Sequence, residues 1–494
     1  TNTSAGAIQN DANVTAGNGI TMTAGTTIDN SNNSLLVSSA KGGISLTAGT
    51  SITNDAVTAS AGSVSMTANK GNITNNGALQ ALGTSSTVNL TAKDSSAGAI
   101  TNNANVTAGN GITMTADTAI DNSNSSLVVS STSGDITLTA GTSITNDAVT
   151  ANAGSVSMTA TNNGITNNGA VQAIGDNSSV SMSATNGSAG AISNSEAVSA
   201  GTSVTMTAGT SISNAAVMGN AGSVSMTATN AGITNNGDVK AIGDSSSISM
   251  TATNNVSGAI SNSGIVSAGK DVTETAGTTL TNTGAVTASK GAIDQDAGGK
   301  LWNKVAVQAG TTIDMTSTGA DIQNDANVTA GTGITMGAST AIDNSNSNLT
   351  VSSTSGGISL TAGTDIKNDI VNAGGAVSMD TATNGTGSIE NTGAVTAGTN
   401  ITQNAKTTLT NTGAVTATAG AIEQKAGGKL WNEKAVSAGT TVKMTSTGAE
   451  IQNDTTVTAG TTLTQDAHTT LTNTGAVQAT GIDQDAVTSI TNNS

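Results

Sequence analysis

Apolar and small polar residues alternate along this chain in short bursts separated by turn-forming residues. Between positions 52 and 68 the bursts are Ile52-Thr53-Asn54, Val57-Thr58-Ala59 and Val64-Ser65-Met66-Thr67-Ala68. Each has the period of two that marks a strand with one buried face. Asn-Asp and Ala-Gly-Ser lie between them and supply turn chemistry. The cycle then starts again. An aliphatic residue followed two positions later by Asn recurs every twenty-odd residues at 23 positions, from Ile8-Gln9-Asn10 to Ile490-Thr491-Asn492. The first cycles are 20, 24, 21 and 27 residues long. A fixed phrase recurring over a whole chain predicts a solenoid. The expected fold is all-β: a single-stranded parallel β-helix of about 22–23 triangular coils, each with three short strands and three corners.

Stacked coils place like residues above like, so three inner ladders are predicted. The first strand contributes Ile or Leu. The second contributes Val, as at Val14, Val57, Val106, Val149, Val198 and Val239. The third contributes Ile or Val plus Met or Leu, and twelve of the thirteen Met fall in this slot, Met218 being the exception. Their place at the inward period reads as core, not as a metal-binding stripe. The Asn shares a face with its Ile, since residues i and i+2 point the same way. It is therefore expected inside, in an amide ladder of the cross-β kind. Every second member of that ladder is Asn10, Asn54, Asn102, Asn146, Asn194, Asn235, Asn282, Asn324, Asn368, Asn411, Asn453 and Asn492.

Longer repeats are built from whole coils. Residues 6–97 are echoed by 98–189, a 92-residue unit, and by a shortened copy at 190–257. The shortened copy lacks the coil that carries Asn30-Ser31-Asn32-Asn33-Ser34 in the first. A second module spans 258–386, with a partial copy at 387–494. No linker or Pro break separates these blocks, so 1–494 is expected to form one continuous rod. At about 4.8 Å per coil it would be roughly 105–110 Å long.

Composition narrows the function. The chain has no Pro, Cys, Tyr, Phe or Arg, and only two Trp, which suits a thin aliphatic core better than a globular enzyme. Charged residues make up 9%, with 14 basic against 31 acidic and a net of −17. Nucleic-acid binding needs a Lys/Arg surface and is not expected. No run of about 18 apolar residues exists to span a membrane. The chain starts at Thr1 and stops at Ser494 in mid-pattern, without the polar capping repeats that solenoids use. That reads as an internal stretch of a longer secreted protein, or as a subunit whose ends are covered by neighbours.

Few residues are candidates for a site. Trp302 and Trp431 each sit in Leu-Trp-Asn after Ala-Gly-Gly-Lys. Both are expected to be exposed on one face, about 29 Å apart by six coil rises, as possible surface contacts. The alternative is a local lid over the Gly-Gly pair. Outward Thr and Ser rows such as Thr21/Thr23 and Thr113/Thr115 resemble those of ice-binding proteins, but soluble strand-formers explain them as well. In later coils Gln replaces Met, at Gln295, Gln424, Gln465 and Gln484, and an inward Gln needs a partner. The flanking acids, Asp294/Asp296 and Asp483/Asp485, face out and read as a solvated surface. They lack the spacing of a calcium repeat. His468 is the only histidine, which leaves triads and metal clusters almost no material. No catalytic, cofactor-binding or metal-ligating residue is assigned, and an enzyme is not expected.

The phrases Gly-Ala-Ile-x-Asn, Ala-Val-x-Ala-Gly and Val-Ser-Met-Thr-Ala resemble the shaft repeats of filamentous-haemagglutinin-like adhesins of Gram-negative bacteria, over essentially the whole chain. That resemblance implies a right-handed β-helix exported to the bacterial cell surface. It also implies that contacts with host or neighbouring cells are made by regions outside this chain. The family's secretion domain, with its Asn-Pro motifs, has no counterpart here. The resulting expectation is a non-catalytic shaft of a surface adhesin or fibre. The alternative is a self-assembling extracellular filament, with copies of the chain as partners.

Overall fold

The computed structural model describes residues 6–32, 34–381 and 386–493, so Thr1, Asn33 and Ser494 lie outside the described residues. Its secondary structure is strand, turn and bend throughout, in a right-handed parallel β-helix of about 23 turns with three strands per coil. The chain divides into two compact units, Thr1–Gly258 and Ala259–Ser494. Among the described residues the first-sheet strands number eleven in the first unit, from Ile8–Gln9 to Ile233–Asn235, and twelve in the second, from Ile260–Asn262 to Ser489–Asn492.

Within each unit the register is that of like on like. In the first sheet Ile52 pairs with Ile73 and Ile73 with Ile100, while Asn54, Asn75 and Asn102 pair in the same order. In the second, Val57, Leu79 and Val106 align. In the third, Met66, Leu90 and Met114 align, with Ala68, Ala92 and Ala116 two residues on. This register follows from the period of two, because a one-residue slip would turn a strand's whole apolar set outward. The three-residue strands Ile73–Asn75 and Leu79–Ala81 show the buried–partly exposed–buried pattern that results.

Corners carry the variation in coil length. Three equivalent corners before the second strand hold a non-Gly residue in the left-handed region, among the described residues Ser34 (φ 61°), Ser126 (φ 66°) and Asn348 (φ 65°). The turn is held by an acid at its start. Asp29, Asp121 and Asp343 each accept hydrogen bonds from the backbone N–H and the hydroxyl of the Ser two residues on. The left-handed residue is followed by a buried Leu: Leu35, Leu127 or Leu349. Elsewhere coils approach so closely that only Gly fits. A Cβ on Gly134 would fall on the carbonyl oxygen of Asn110, one coil below.

Candidate functional site

The interior holds a column of side-chain amides. In the first unit each Asn Nδ2 donates to the Oδ1 of the Asn one coil later, at 2.8 Å for Asn30 to Asn54, 3.2 Å for Asn54 to Asn75 and 2.7 Å for Asn75 to Asn102. The chain of bonds starts at Asn10 and continues through Asn122, Asn146, Asn167, Asn194 and Asn214 to Asn235. The second unit repeats it from Asn262 through Asn282, Asn303, Asn324, Asn344, Asn368, Asn391, Asn411, Asn432, Asn453 and Asn473 to Asn492. Every donor points the same way along the chain. Asn10 is half-buried and Asn492 exposed; the ladder residues between them are buried.

The third-strand Met is more than filler. Its sulphur lies near the second hydrogen of the same coil's Asn, at 3.3 Å for Asn54 and Met66, 3.2 Å for Asn214 and Met226, and 3.5 Å for Asn146 and Met158. A thioether is a weak acceptor, yet it gives that hydrogen a partner where Leu gives none. The sequence reading placed the Met in the core and missed this polar role.

Where Gln takes the Met slot the partnership becomes reciprocal. Asn432 donates to Gln424 Oε1 at 3.0 Å and Gln424 donates back to Asn432 Oδ1 at 3.2 Å. Gln403, Gln465 and Gln295 make the same pair with Asn411, Asn473 and Asn303. Gln403 belongs with the Gln residues found from the sequence and was overlooked there. Each Gln also reaches an adjacent coil, but in the opposite sense to Asn. Gln424 donates back to Gln403 at 2.9 Å and Gln484 back to Gln465 at 2.7 Å.

One coil departs further. Glu274 occupies the Met slot in Val272-Thr273-Glu274-Thr275-Ala276 and is fully buried. Its Oε1 accepts from Asn262 at 2.7 Å, and its Oε2 accepts from Asn282 at 2.9 Å and Gln295 at 2.7 Å. Burial raises its pKa above the ordinary 4.5, and the three amide donors offset this only in part. The sequence did carry the signal, since position 274 falls on the inward period.

On the outer surface, Trp302 and Trp431 point outward as the alternation requires, but they are half-buried, not exposed. The physical reason is a polar partner one coil on. Trp302 Nε1 donates to Asp325 at 2.7 Å and Trp431 Nε1 to Asp454 at 2.8 Å, which lays each indole against the wall. Gln323 and Gln452 hold the other oxygen of those carboxylates at 2.7 and 2.8 Å. Lys304 and Lys300 stand 4.0 and 4.8 Å from the Trp302 ring, and Lys429 4.8 Å from the Trp431 ring. The two stations sit six coils apart in the second unit.

The third-sheet face differs between the units. In the first unit its outward positions are Ser or Thr apart from Asn89 and Gly111, and none is charged. In the second, acids and lysines break the rows. Asp294 is exposed and Asp296 half-exposed. Partial burial, reinforced by Asp296, raises the pKa of both Asp294 and Asp314 above 3.8, and Asp314 adds to the effect on Asp294. A shallow groove of about 460 Å³ crosses four coils here, with Asp314, Thr335, Gly333 and Gly357 among its lining. His468 is exposed. Among the described residues no three His, Cys, Asp or Glu side chains gather as metal ligands, and no helix is long and apolar enough to cross a membrane. No family model, curated protein or solved structure matches the chain.

Proposed function

We propose that this chain is a non-catalytic structural shaft of a secreted bacterial surface adhesin or fibre. The observation that carries this reading is the coil-to-coil identity within each unit. Every coil passes three strands and one inward amide to the next in unchanged register. Such a design devotes its sequence to stacking, and whole-coil duplication lengthens it without disturbing any site. The likeness of its repeats to filamentous-haemagglutinin-like shafts supports the same reading. Contacts with host or neighbouring cells then belong to regions outside this chain.

A filament assembled from copies of the chain is the second reading. It draws on three aliphatic side chains at equivalent corners of the first unit: Leu82, Ile174 and Ile242, 49%, 55% and 57% exposed. These are the lateral contacts such a filament would use. Cryo-electron microscopy of native cells and released material separates the two. Individual rods rooted in the outer membrane and ending in a distinct head are the expected result. Continuous fibres with a regular subunit junction would overturn the shaft in favour of the filament.

A further inference from the structure

Glu274 stands apart from every other inward residue. Among the described residues it is the only buried one with an ionisable side chain; the other buried polar side chains are Asn, Gln, Ser and Thr. Within its unit, the strands packed on Val272–Ala276 face it with Asn262, Asn282, Gln295 and aliphatic groups. None of them brings a cation or a second acid inside. The nearby charged groups stand outside the core. Asp271 is paired with Lys270 at 3.1 Å, and Asp294 and Asp296 lie on the outer face of the adjoining strand. We infer that Glu274 is a proton-operated weak point, which locks the coils around it when neutral and lets them open when ionised.

The hydrogen bonds explain how one proton has this effect. Three N–H groups converge on the two carboxylate oxygens, an arrangement that suits the anion. That anion is nevertheless cut off from water and, among the described residues of its unit, from any countercharge, and desolvation outweighs the three bonds. Taking up a proton turns one oxygen into a donor, so one neighbouring amide has to present oxygen instead. Gln295 is placed to do so. If its carboxamide turns, Glu274 O–H donates to Gln295 Oε1. The turn carries Gln295 Nε2 to the place of its Oε1, beside Asn303 Nδ2, so its 3.3 Å approach to Asn303 Oδ1 is lost. The Asn303 Nδ2 bond to Gln295 Oε1 is given up, while that Nδ2 keeps Asn324 at 3.0 Å.

The sign follows from linkage. The folded pKa lies above the unfolded 4.5, so the stabilisation is complete below 4.5 and is lost as pH rises through the folded value. Opening then hydrates the carboxylate. The effect is local, because the other coils of the unit hold amide, thioether or, at Leu360, alkyl groups in this slot and those groups do not titrate.

The test is hydrogen exchange by mass spectrometry on the full chain at about pH 5 and about pH 8, corrected for intrinsic rates. Glu274→Gln is the comparison, and Gln suits the slot because Gln403 fills its equivalent, accepting from Gln424 and Asn411. Peptides within 259–297 are expected to lose protection at the higher pH by roughly tenfold for each unit of pKa elevation traversed, relative to peptides within 136–184. The Gln variant is expected to show no such relative loss. The inference is overturned if both proteins change alike, or if the wild type gains protection on going to about pH 8. Infrared difference spectra of the two proteins give a second reading that does not depend on opening. A protonated-carboxyl band that persists on raising the pH above the ordinary 4.5, absent from Glu274→Gln, is expected, and a wild-type band that titrates at or below 4.5 overturns the assignment.

Discussion

Replacing Asn146 with Leu tests the amide column directly. Asn146 is fully buried, accepts from Asn122 at 2.8 Å and donates to Asn167 at 2.9 Å. Leu has the same number of side-chain heavy atoms, though its methyl groups are bulkier, and it leaves one N–H of Asn122 and the Oδ1 of Asn167 without a partner. Each orphaned buried group costs about 1–3 kcal/mol, and burying the Leu side chain returns about 1.5–3 kcal/mol. The single variant is therefore expected to be less stable by about 2 kcal/mol, measured as local opening by hydrogen exchange in the coils around 144–167. The informative variant is the triple, Asn122→Leu, Asn146→Leu and Asn167→Leu together. A block of any length orphans only the two groups at its ends, now on Asn102 and Asn194. The triple is thus expected to be no less stable than the single. A cost that grows in proportion to the number of substitutions would refute the reasoning, because it would mean that each Asn acts through something other than its neighbours in the column.

Other outcomes follow from single residues. Ser126→Gly relieves the left-handed backbone at φ 66°, and the unfolding midpoint should show a gain of about 0.5–1 kcal/mol; a loss would mean that the hydroxyl matters more than the backbone. Trp431→Phe keeps the ring but removes the N–H to Asp454, and should cost about 1 kcal/mol in urea unfolding; a cost well beyond this would show that the station organises more of the coil than its hydrogen bonds indicate. Asp294 and Asp314 both have raised pKa values, so their stabilisation is complete below 3.8 and fades as pH rises through the folded values. Asp314→Asn should accordingly raise the melting temperature at neutral pH and leave it unchanged in acid, a contrast that thermal scans at both pH values would reveal.

Much of this architecture was legible because the Ile-x-Asn phrase fixes both coil length and register. Ile52, Ile73 and Ile100 had to stack, and Asn54, Asn75 and Asn102 had to follow them inward. What escaped the sequence depends on how stacked side chains meet. The Asp that holds Trp302 is 23 residues away, on a different coil, so exposure was expected where half-burial was found. The acceptor role of Met66 needs the distance to Asn54, which composition and period do not contain. Gln403 and Glu274 were within reach, since both occupy the inward slot of the third strand. They were missed as exceptions to the Met and Leu that fill this slot throughout the first unit, although Gln424 and Gln295 stand next to them in it.

The opposed donor directions of Asn and Gln have an electrical consequence. A primary amide carries a dipole comparable to the roughly 3.5 D of a peptide unit. In the first unit the Asn amides are head to tail from Asn10 to Asn235, so their moments add, with the N–H poles toward the later coils. No single member can turn over without setting two oxygens and two N–H groups face to face, which makes the orientation collective: the column reverses as a whole or not at all. In the stretch that contains Gln403 and Gln424, the glutamines form a shorter counter-current and cancel part of that moment. The first unit is thus a polarised wire of amides that all share one sense, and the Gln coils of the second are partly compensated.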